Sequence, residues 1–374
     1  MTATCPTHDS RTLPDDLLDR VGPRFTRPEP RQRAQLFVRG ILSGLARKNS
    51  WTLAGFAGEA DPTGMQRLLT SARWDVDGVR DDLRAWVLER LGDPEHGMLI
   101  PIEAGFPKKG TGSVGVHRHY NDAARRAENV QLGLFLVYAT AGRWALVDRE
   151  LYLPPSWAAD AERCRRLGVP DGMRFVPKAD LARRMIERLI ATGASAAWLA
   201  ADETFAKDPA FRSWLDGTDL AHLLTVRPRD RIATRRGEAG TAHELTGRLP
   251  EGAWRHRYLP GAESSRRSGY DWVRVSLARP AGENPTWERL LLAVRSTADR
   301  NLIDYYQCRV LPGTPDHELI RVARVLDGIA VPFRRAKHDL GLDQYQVRRY
   351  DAWYRHVTLC MLAGAYLAVT RDAN

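Results

Sequence analysis

The chain lacks long apolar runs and closely spaced cysteines, and each absence excludes a class of protein. No uninterrupted apolar stretch among its 374 residues approaches the roughly 20 residues that a membrane-spanning helix needs. The four cysteines, Cys5, Cys164, Cys308 and Cys360, have neither the spacing of a zinc site nor that of a disulfide framework. The N-terminal segment carries no apolar stretch of the signal-peptide kind. We therefore expect a cytoplasmic protein without a membrane partner.

The common nucleotide-binding and nucleic-acid-binding signatures are also missing. The sequence has no P-loop, no RNP1 motif, no KH loop and no zinc-finger spacing. Its glycines do not form a dinucleotide fingerprint between a strand and a helix. We accordingly predict no cofactor.

The chain does contain an excess of positive charge and enough apolar residues for a sizeable core. It has 56 Lys and Arg against 46 Asp and Glu, a net charge of +10, and 43% of its residues are hydrophobic. A basic balance permits nucleic-acid binding, but arginines spread along the chain are equally typical of a solvated surface. At about 150 residues per domain, the length predicts two or three domains, or one large domain with an insertion.

Hydrophobic periodicity divides the chain into segments of different character. The predicted segments are an N-terminal helical domain over 1–95, an α/β core over 96–226, a β-rich insertion over 227–285, and the second part of the core over 286–374. Within the core, alternation predicts a strand over 113–120, and helical spacing predicts a helix over 318–340. Strands followed by helices, with an inserted β region, indicate a layered α/β fold.

A long series of motifs carries a resemblance to a known family. The motifs are Glu103–Gly110 (EAGFPKKG), Ser113–Val116 (SVGV), Glu128 with Asn129, Gly133, Asp148–Pro154 (DRELYLP), Ser156 with Trp157, Trp198–Glu203 (WLAADE), Tyr270–Trp272 (YDW), Gly341–Asp343 (GLD) and Trp353–His356 (WYRH). On these residues, the stretch from 98 to 370 resembles the DDE transposases of the IS701 type. The resemblance implies an RNase H-like mixed sheet flanked by helices, with a β-rich insertion ahead of the last catalytic helix.

The family's reaction depends on three carboxylates that hold two divalent metal ions for phosphodiester transfer. The resemblance aligns the first carboxylate with Ile102, the second with Asp202 and the third with Ala330. Two of the three ligands are therefore replaced by apolar residues. We predict that the chain holds no metal and is not an active DDE nuclease or transposase.

Neighbouring residues of the same motifs are partly retained. Lys337 matches a lysine of the last helix, whereas Leu326 stands where the family has an arginine. Glu103 follows position 102 directly, but adjacent side chains of a strand point to opposite faces, so Glu103 is expected to point away from the site. Pro332 is expected to kink or restart the last helix.

One hypothesis is that the vacated cleft serves a new, metal-independent reaction. Ile102, Ala330, Phe333 and Lys337 would line an apolar pocket suited to a small organic substrate, for example one of specialised metabolism. Burial in such a pocket would raise the pKa of Asp202 and equip it for acid/base chemistry of the lyase, isomerase or cyclase type. The alternative is that Asp202 is a leftover acid bonded to solvent or to Lys337.

His117 and His119 are further catalytic candidates, together with Glu103. The histidines lie two residues apart on a predicted strand and therefore share one face. One of them could act as an acid or base near Asp202. The alternatives are two surface histidines on an edge strand, or a metal pair for which no third ligand is evident.

The competing hypothesis is a DNA-binding protein that does not cleave, either a regulator or an inactive relic. Contacts to DNA phosphates need only lysine and arginine. Lys108, Lys109 and Arg118 are the candidates for contact with DNA or another anion, and 227–236 and 266–267 are further basic stretches. The sequence narrowly favours the enzyme, and it does not indicate an oligomeric state.

Overall fold

The computed structural model describes residues 15–121, 125–140, 142–258, 269–280 and 282–370. Its helices are α1 Asp15–Val21, α2 Pro28–Leu42, α3 Ser50–Phe56, α4 Thr63–Thr70, α5 Val76–Leu91, α6 Pro155–Ala158, α7 Ala161–Arg166, α8 Lys178–Ile190, α9 Glu203–Ala206, α10 Pro209–Asp216, α11 Ala242–Gly247, α12 Asp316–Gly328, α13 Ala330–Asp339 and α14 Tyr350–Thr370. Its strands are β1 Met98–Pro107, β2 His117–Asn121, β3 Arg126–Thr140, β4 Arg143–Leu151, β5 Trp198–Ala201, β6 Ala221–Val226, β7 Arg231–Ala233, β8 Ala239–Thr241, β9 Arg255–Tyr258, β10 Gly269–Ser276, β11 Glu288–Ser296 and β12 Ile303–Val310.

The chain divides into two units. The first comprises the described residues of 1–97, 101–195 and 330–374, and the second comprises 98–100 and 196–329. The first unit thus contains the predicted N-terminal helices together with part of the core. The four-part division drawn from the sequence stays a prediction.

In the first unit, a sheet with the order β2-β3-β1 is covered by helices. Strand β4 also pairs with β3, and both β2 and β4 run antiparallel to it. The long helix α14 packs on β4 and contacts α2, α4 and α5, while α8 contacts β3 and β4. Local signals fix where the N-terminal helices start: Asn49 forms a capping box with Thr52 at α3, and Asp75 caps α5. The predicted helical character of this segment is confirmed.

The core of this sheet is aromatic where β1, β3 and α14 meet. Phe135 lies 6.4 Å from both Phe106 and Trp353, measured between ring centroids. Gly133 makes room for this cluster, because a Cβ at that position would lie 2.9 Å from Cζ2 of Trp353 and 3.0 Å from Cε2 of Phe106. The absence of a side chain at Gly133 is therefore a packing requirement.

Substituting alanine for Gly133 is expected to lower the free energy of unfolding by about 1–3 kcal/mol, because the buried rings must shift to accept the methyl group. The matched control is Gly110→Ala, since nothing lies within 4 Å of a Cβ built at residue 110. Urea denaturation of both variants measures the difference. Equal stability of the two variants would show that the aromatic rings can shift to accept the methyl group without a loss of unfolding free energy.

In the second unit, the strand order is β1-β5-β6-β12-β11-β10-β9, beginning with the first residues of β1. Strand β5 runs parallel to β1 and β6, and the pairs from β6 onward are antiparallel, so the sheet is mixed. Strands β7 to β10 fall within 227–285, the range predicted as a β-rich insertion, and its extent as a domain stays a prediction. Helix α12 contacts β5 and β6. The fold is therefore the RNase H-like α/β class that the resemblance implies.

Two sequence-based boundaries need correction. The predicted strand over 113–120 begins only at His117, because Gly115 has a φ of +73° and turns the preceding segment. The predicted helix over 318–340 is two helices, which are separated at Ile329. The expected restart at Pro332 is confirmed: the proline lies in the first turn of α13, where a backbone N–H has no intrahelical acceptor.

The expectations about the cysteines and about membrane-spanning helices can be compared with the described residues. Cys164, Cys308 and Cys360 are free thiols. No helix in the described part of the chain is both long enough and apolar enough to span a membrane.

Candidate functional site

The position of the first family carboxylate lies on β1. Ile102 is buried there, whereas its neighbour Glu103 is partly exposed and forms an ion pair with Nζ of Lys178 at the start of α8. Glu103 is thus directed at α8 and its charge is already matched. Nothing in the sequence near Lys178 indicated this partner.

Asp202, which the resemblance aligns with the second family carboxylate, belongs to the second unit. Strand β5 ends at Ala201, and the next residue turns outward as the N-cap of the short helix α9. An Asp202 carboxylate oxygen accepts a hydrogen bond from the backbone N–H of Thr204 at 2.9 Å, and the residue is exposed. Asp202 is thus exposed where the chain leaves the sheet, and its place in an apolar pocket stays a prediction.

The position of the third carboxylate is the first residue of α13. Ala330 is exposed, whereas Phe333 is buried against Phe135 and Trp144 at centroid distances of 5.9 and 6.4 Å. The buried phenyl ring fixes α13 against the sheet. Ala330 therefore does not contribute to a buried apolar surface.

Lys337, two turns further along α13, ties that helix to β1. Its Nζ donates a hydrogen bond to the carbonyl oxygen of Gly105 at 3.0 Å and lies 5.4 Å from the centroid of the Phe106 ring. Burial lowers the pKa of Lys337, and the nearby Asp343 carboxylate acts in the opposite direction. The retained family lysine is thus held at the second half of β1.

Lys108 lies in a similar environment. Its Nζ lies 3.5 Å from the centroid of the Tyr345 ring, and burial lowers its pKa to about 8, opposed by Asp343. The Oδ1 atom of Asp343 is buried and has no hydrogen-bond partner among the described residues. Lys109 is exposed, so only the second of the two lysines is a simple solvated loop residue. Asp343 belongs to the GLD motif of the resemblance, but the sequence alone did not mark it as a candidate functional residue.

The two histidines lie together on β2. The rings of His117 and His119 are 5.9 Å apart between centroids, so the prediction that they share a face is confirmed. The Nδ1 atom of His117 lies 3.1 Å from the carbonyl oxygen of Gly115. Arg118, between them, is exposed and pairs in register with Asn129 of β3. These residues belong to the first unit, whereas Asp202 belongs to the second.

The donor groups do not fit the metal pair that the family implies. Ile102 and Ala330 offer no oxygen ligand, and Glu103 is engaged with Lys178. Among the described residues, no group of three or more His, Cys, Asp or Glu side chains is arranged to hold a metal ion. A pair of Mg²⁺ ions in this reaction requires several carboxylate oxygens that act together.

The fold is of the RNase H-like α/β class, and in the register that the resemblance implies, Ile102 and Ala330 stand where two of the family's carboxylates are expected. A family profile described as DDE superfamily endonuclease matches residues 20–283, and the chain belongs to this family. The resemblance to IS701-type transposases is thereby confirmed.

Two individual proteins are similar to the chain. A probable transposase for insertion sequence element IS701 from Microchaete diplosiphon is 25% identical over 190 residues, which are 50% of this chain and 47% of the relative. The chain thus spans about half the length of this curated relative. The NurA nuclease from Sulfolobus solfataricus aligns with a TM-score of 0.28 and 9% identity, over 65% of this chain and 78% of the nuclease.

Proposed function

We propose that this DDE-family protein binds duplex DNA without carrying out metal-dependent strand transfer. The observation that carries the proposal is the pair Ile102 and Ala330, which replace two metal-binding carboxylates in a family that handles DNA. Binding to the phosphate backbone requires only positive charge and hydrogen-bond donors, and it does not depend on a metal ion. The loss of the acids would therefore abolish strand transfer but would leave the positive charges and donors that bind DNA phosphates.

Exposed basic residues in both units support DNA binding. Lys109 and Arg118 are exposed in the first unit. In the second unit, the exposed arginines of the predicted basic stretch are Arg227, Arg229, Arg231, Arg235 and Arg236. Arg227 already pairs with Asp230 at 3.0 Å, so the other four are the stronger candidates. The pair at 266–267 lies outside the described residues.

Lys108 and Lys337 supply a second kind of phosphate contact. Both ammonium groups are partly desolvated, and a partly desolvated cation interacts more strongly with an anion than a fully hydrated one does. With a pKa of about 8, Lys108 is mostly protonated at neutral pH and loses its charge as the pH rises through that value.

The test is binding of a fluorescent duplex by the full chain in EDTA, measured by anisotropy over a range of salt concentrations. We expect binding at low salt and an affinity that falls steeply with ionic strength, with a log–log slope of about −0.9 for each neutralised phosphate. Because no step uses a metal, exchange of EDTA for Mg²⁺ at constant ionic strength should not restore or strengthen binding. No binding at low salt would contradict the proposal.

A second candidate function is a metal-independent enzyme, of the lyase, isomerase or cyclase type, that acts on a small organic substrate in specialised metabolism. The buried Ile102 favours it, because it makes that part of β1 apolar. The exposure of Asp202 counts against it, since exposure removes the desolvation on which the acid/base role depends. Absence of DNA binding in the assay above would make this candidate the stronger one.

A further inference from the structure

A second basic site lies in the first unit, apart from the positions of the family carboxylates. It is a pocket of about 530 Å³ whose polar lining includes His117, Arg118, Asn129, Ser156, Arg163 and Arg166; we call it the arginine pocket. Its lining comes from β2, β3, α6, α7 and the loop before β2. Neither position 102, position 330 nor Lys337 contributes to it.

The lining is strongly cationic. Three guanidinium groups line the arginine pocket and no Asp or Glu does. Arg118 and Arg166 are exposed, and within the described ranges neither forms an ion pair with a carboxylate. Nearby acids have partners of their own, since Asp160 caps α7 and Glu128 pairs with Arg126. Like charges that converge without a counter-charge repel one another, and a bound anion relieves the repulsion.

Arg163 is held in place before any ligand arrives. Its Nη2 donates to the carbonyl oxygen of Thr111 at 2.7 Å, and its guanidinium stacks on the Trp157 ring at 3.7 Å. Trp157 is fully buried and donates from Nε1 to the carbonyl oxygen of Val116 at 2.9 Å. An immobilised guanidinium loses little side-chain entropy on binding, so the arrangement favours recognition of a planar or tetrahedral oxoanion.

Further donors surround the pocket. A Cβ at Gly112, in the loop before β2, would lie 3.8 Å from Nη1 of Arg348, so a fourth guanidinium lies beside the wall of the pocket. The contact of Nδ1 of His117 with the Gly115 carbonyl places the proton on Nδ1 in the neutral ring. Ser156 and the Asn129 amide are neutral polar groups of the same lining.

We propose that the arginine pocket binds a phosphate group of a DNA backbone, separately from the site at β1 and α13. The inference rests on the proposed DNA binding and specifies one place where a phosphate is held. Arginine is suited to this role because its planar fork of donors can bind two phosphate oxygens at once. The same chemistry would accept a free phosphate compound, so the experiment distinguishes the two sources.

The test compares Arg166→Gln with Arg165→Gln in the full chain. Both residues are exposed on α7 and both changes remove one positive charge, but Arg165 does not line the pocket. For Arg166→Gln we expect duplex binding to weaken about 3–10-fold, with a salt slope smaller by about one. For Arg165→Gln we expect a smaller loss of affinity. Circular dichroism and melting temperature confirm that both variants are folded.

The outcomes separate this inference from the proposed function. Equal weakening by both variants, with duplex binding by the native chain, would overturn the arginine pocket and leave general DNA binding intact. The second arm uses inorganic pyrophosphate as the probe and measures the melting temperature. No duplex binding, with stabilisation by pyrophosphate that Arg166→Gln abolishes, would overturn both the proposed function and the DNA phosphate as the ligand, and would identify a free phosphate compound instead. No response to either probe would overturn both proposals.

Discussion

Replacement of Asp148 by alanine is expected to lower the free energy of unfolding by about 3–5 kcal/mol, because it removes a fully buried carboxylate that two guanidinium groups share, and each of them then keeps only one, more exposed, carboxylate partner. Asp148 lies on β4 and is fully buried. Its Oδ2 accepts from Nη2 of Arg84 at 3.1 Å and from Nε of Arg188 at 3.0 Å. Its Oδ1 accepts the backbone N–H of Arg149 at 2.8 Å. This carboxylate therefore joins α5, β4 and α8.

The control is an exposed ion pair on α8, the helix that carries Arg188. Arg183 and Glu187 pair at 2.7 Å on α8, with about half of each side chain in solvent, and Glu187→Ala should cost no more than about 0.5 kcal/mol. Urea denaturation of the full chain gives both values. If Asp148→Ala proved no more destabilising than Glu187→Ala, the network would not be the structural element that its burial indicates.

Magnesium and manganese ions are expected to leave both the melting temperature and the integrity of bound DNA unchanged. A competent metal site stabilises the folded state by about 2.7 kcal/mol when the ion is present at 100 times its dissociation constant. Here Ile102 and Ala330 provide no oxygen ligand, Glu103 pairs with Lys178, and among the described residues no group of three or more His, Cys, Asp or Glu side chains is arranged to hold a metal ion. One carboxylate does not support two-metal phosphodiester chemistry.

The measurement is a melting curve with and without each ion, together with nicking of a supercoiled plasmid. Asp202→Asn is the control, because it removes the last family acid and should behave like the native chain in both assays. Nicking by the native chain that depends on a metal and disappears in Asp202→Asn would falsify the loss of strand cleavage.

Much of the framework could be predicted because it depends on local signals. The caps at Asn49 and Asp75 and the spacing of apolar residues place the N-terminal helices. Alternation along β2 places His117 and His119 on one face. Pro332 marks the restart of the helix at α13, because a proline is accommodated without loss of a hydrogen bond only in a first turn. Ile102 and Ala330 stand at acid positions in the register that the motifs imply, and the loss of the metal site stays a prediction.

The sequence by itself determined the family and the order of the elements, because both follow from residue identity and short-range spacing. Only the tertiary structure decided the environment of the charges. The exposure of Asp202, the pairing of Glu103 with Lys178 and the burial of Asp148 all depend on neighbours that are distant along the chain. The arginine pocket likewise depends on residues that are distant along the chain, since it brings Arg118 of β2 together with Arg163 and Arg166 of α7. Solvation and pairing of a charge are set by the groups packed around it, and no spacing rule within one segment specifies those groups.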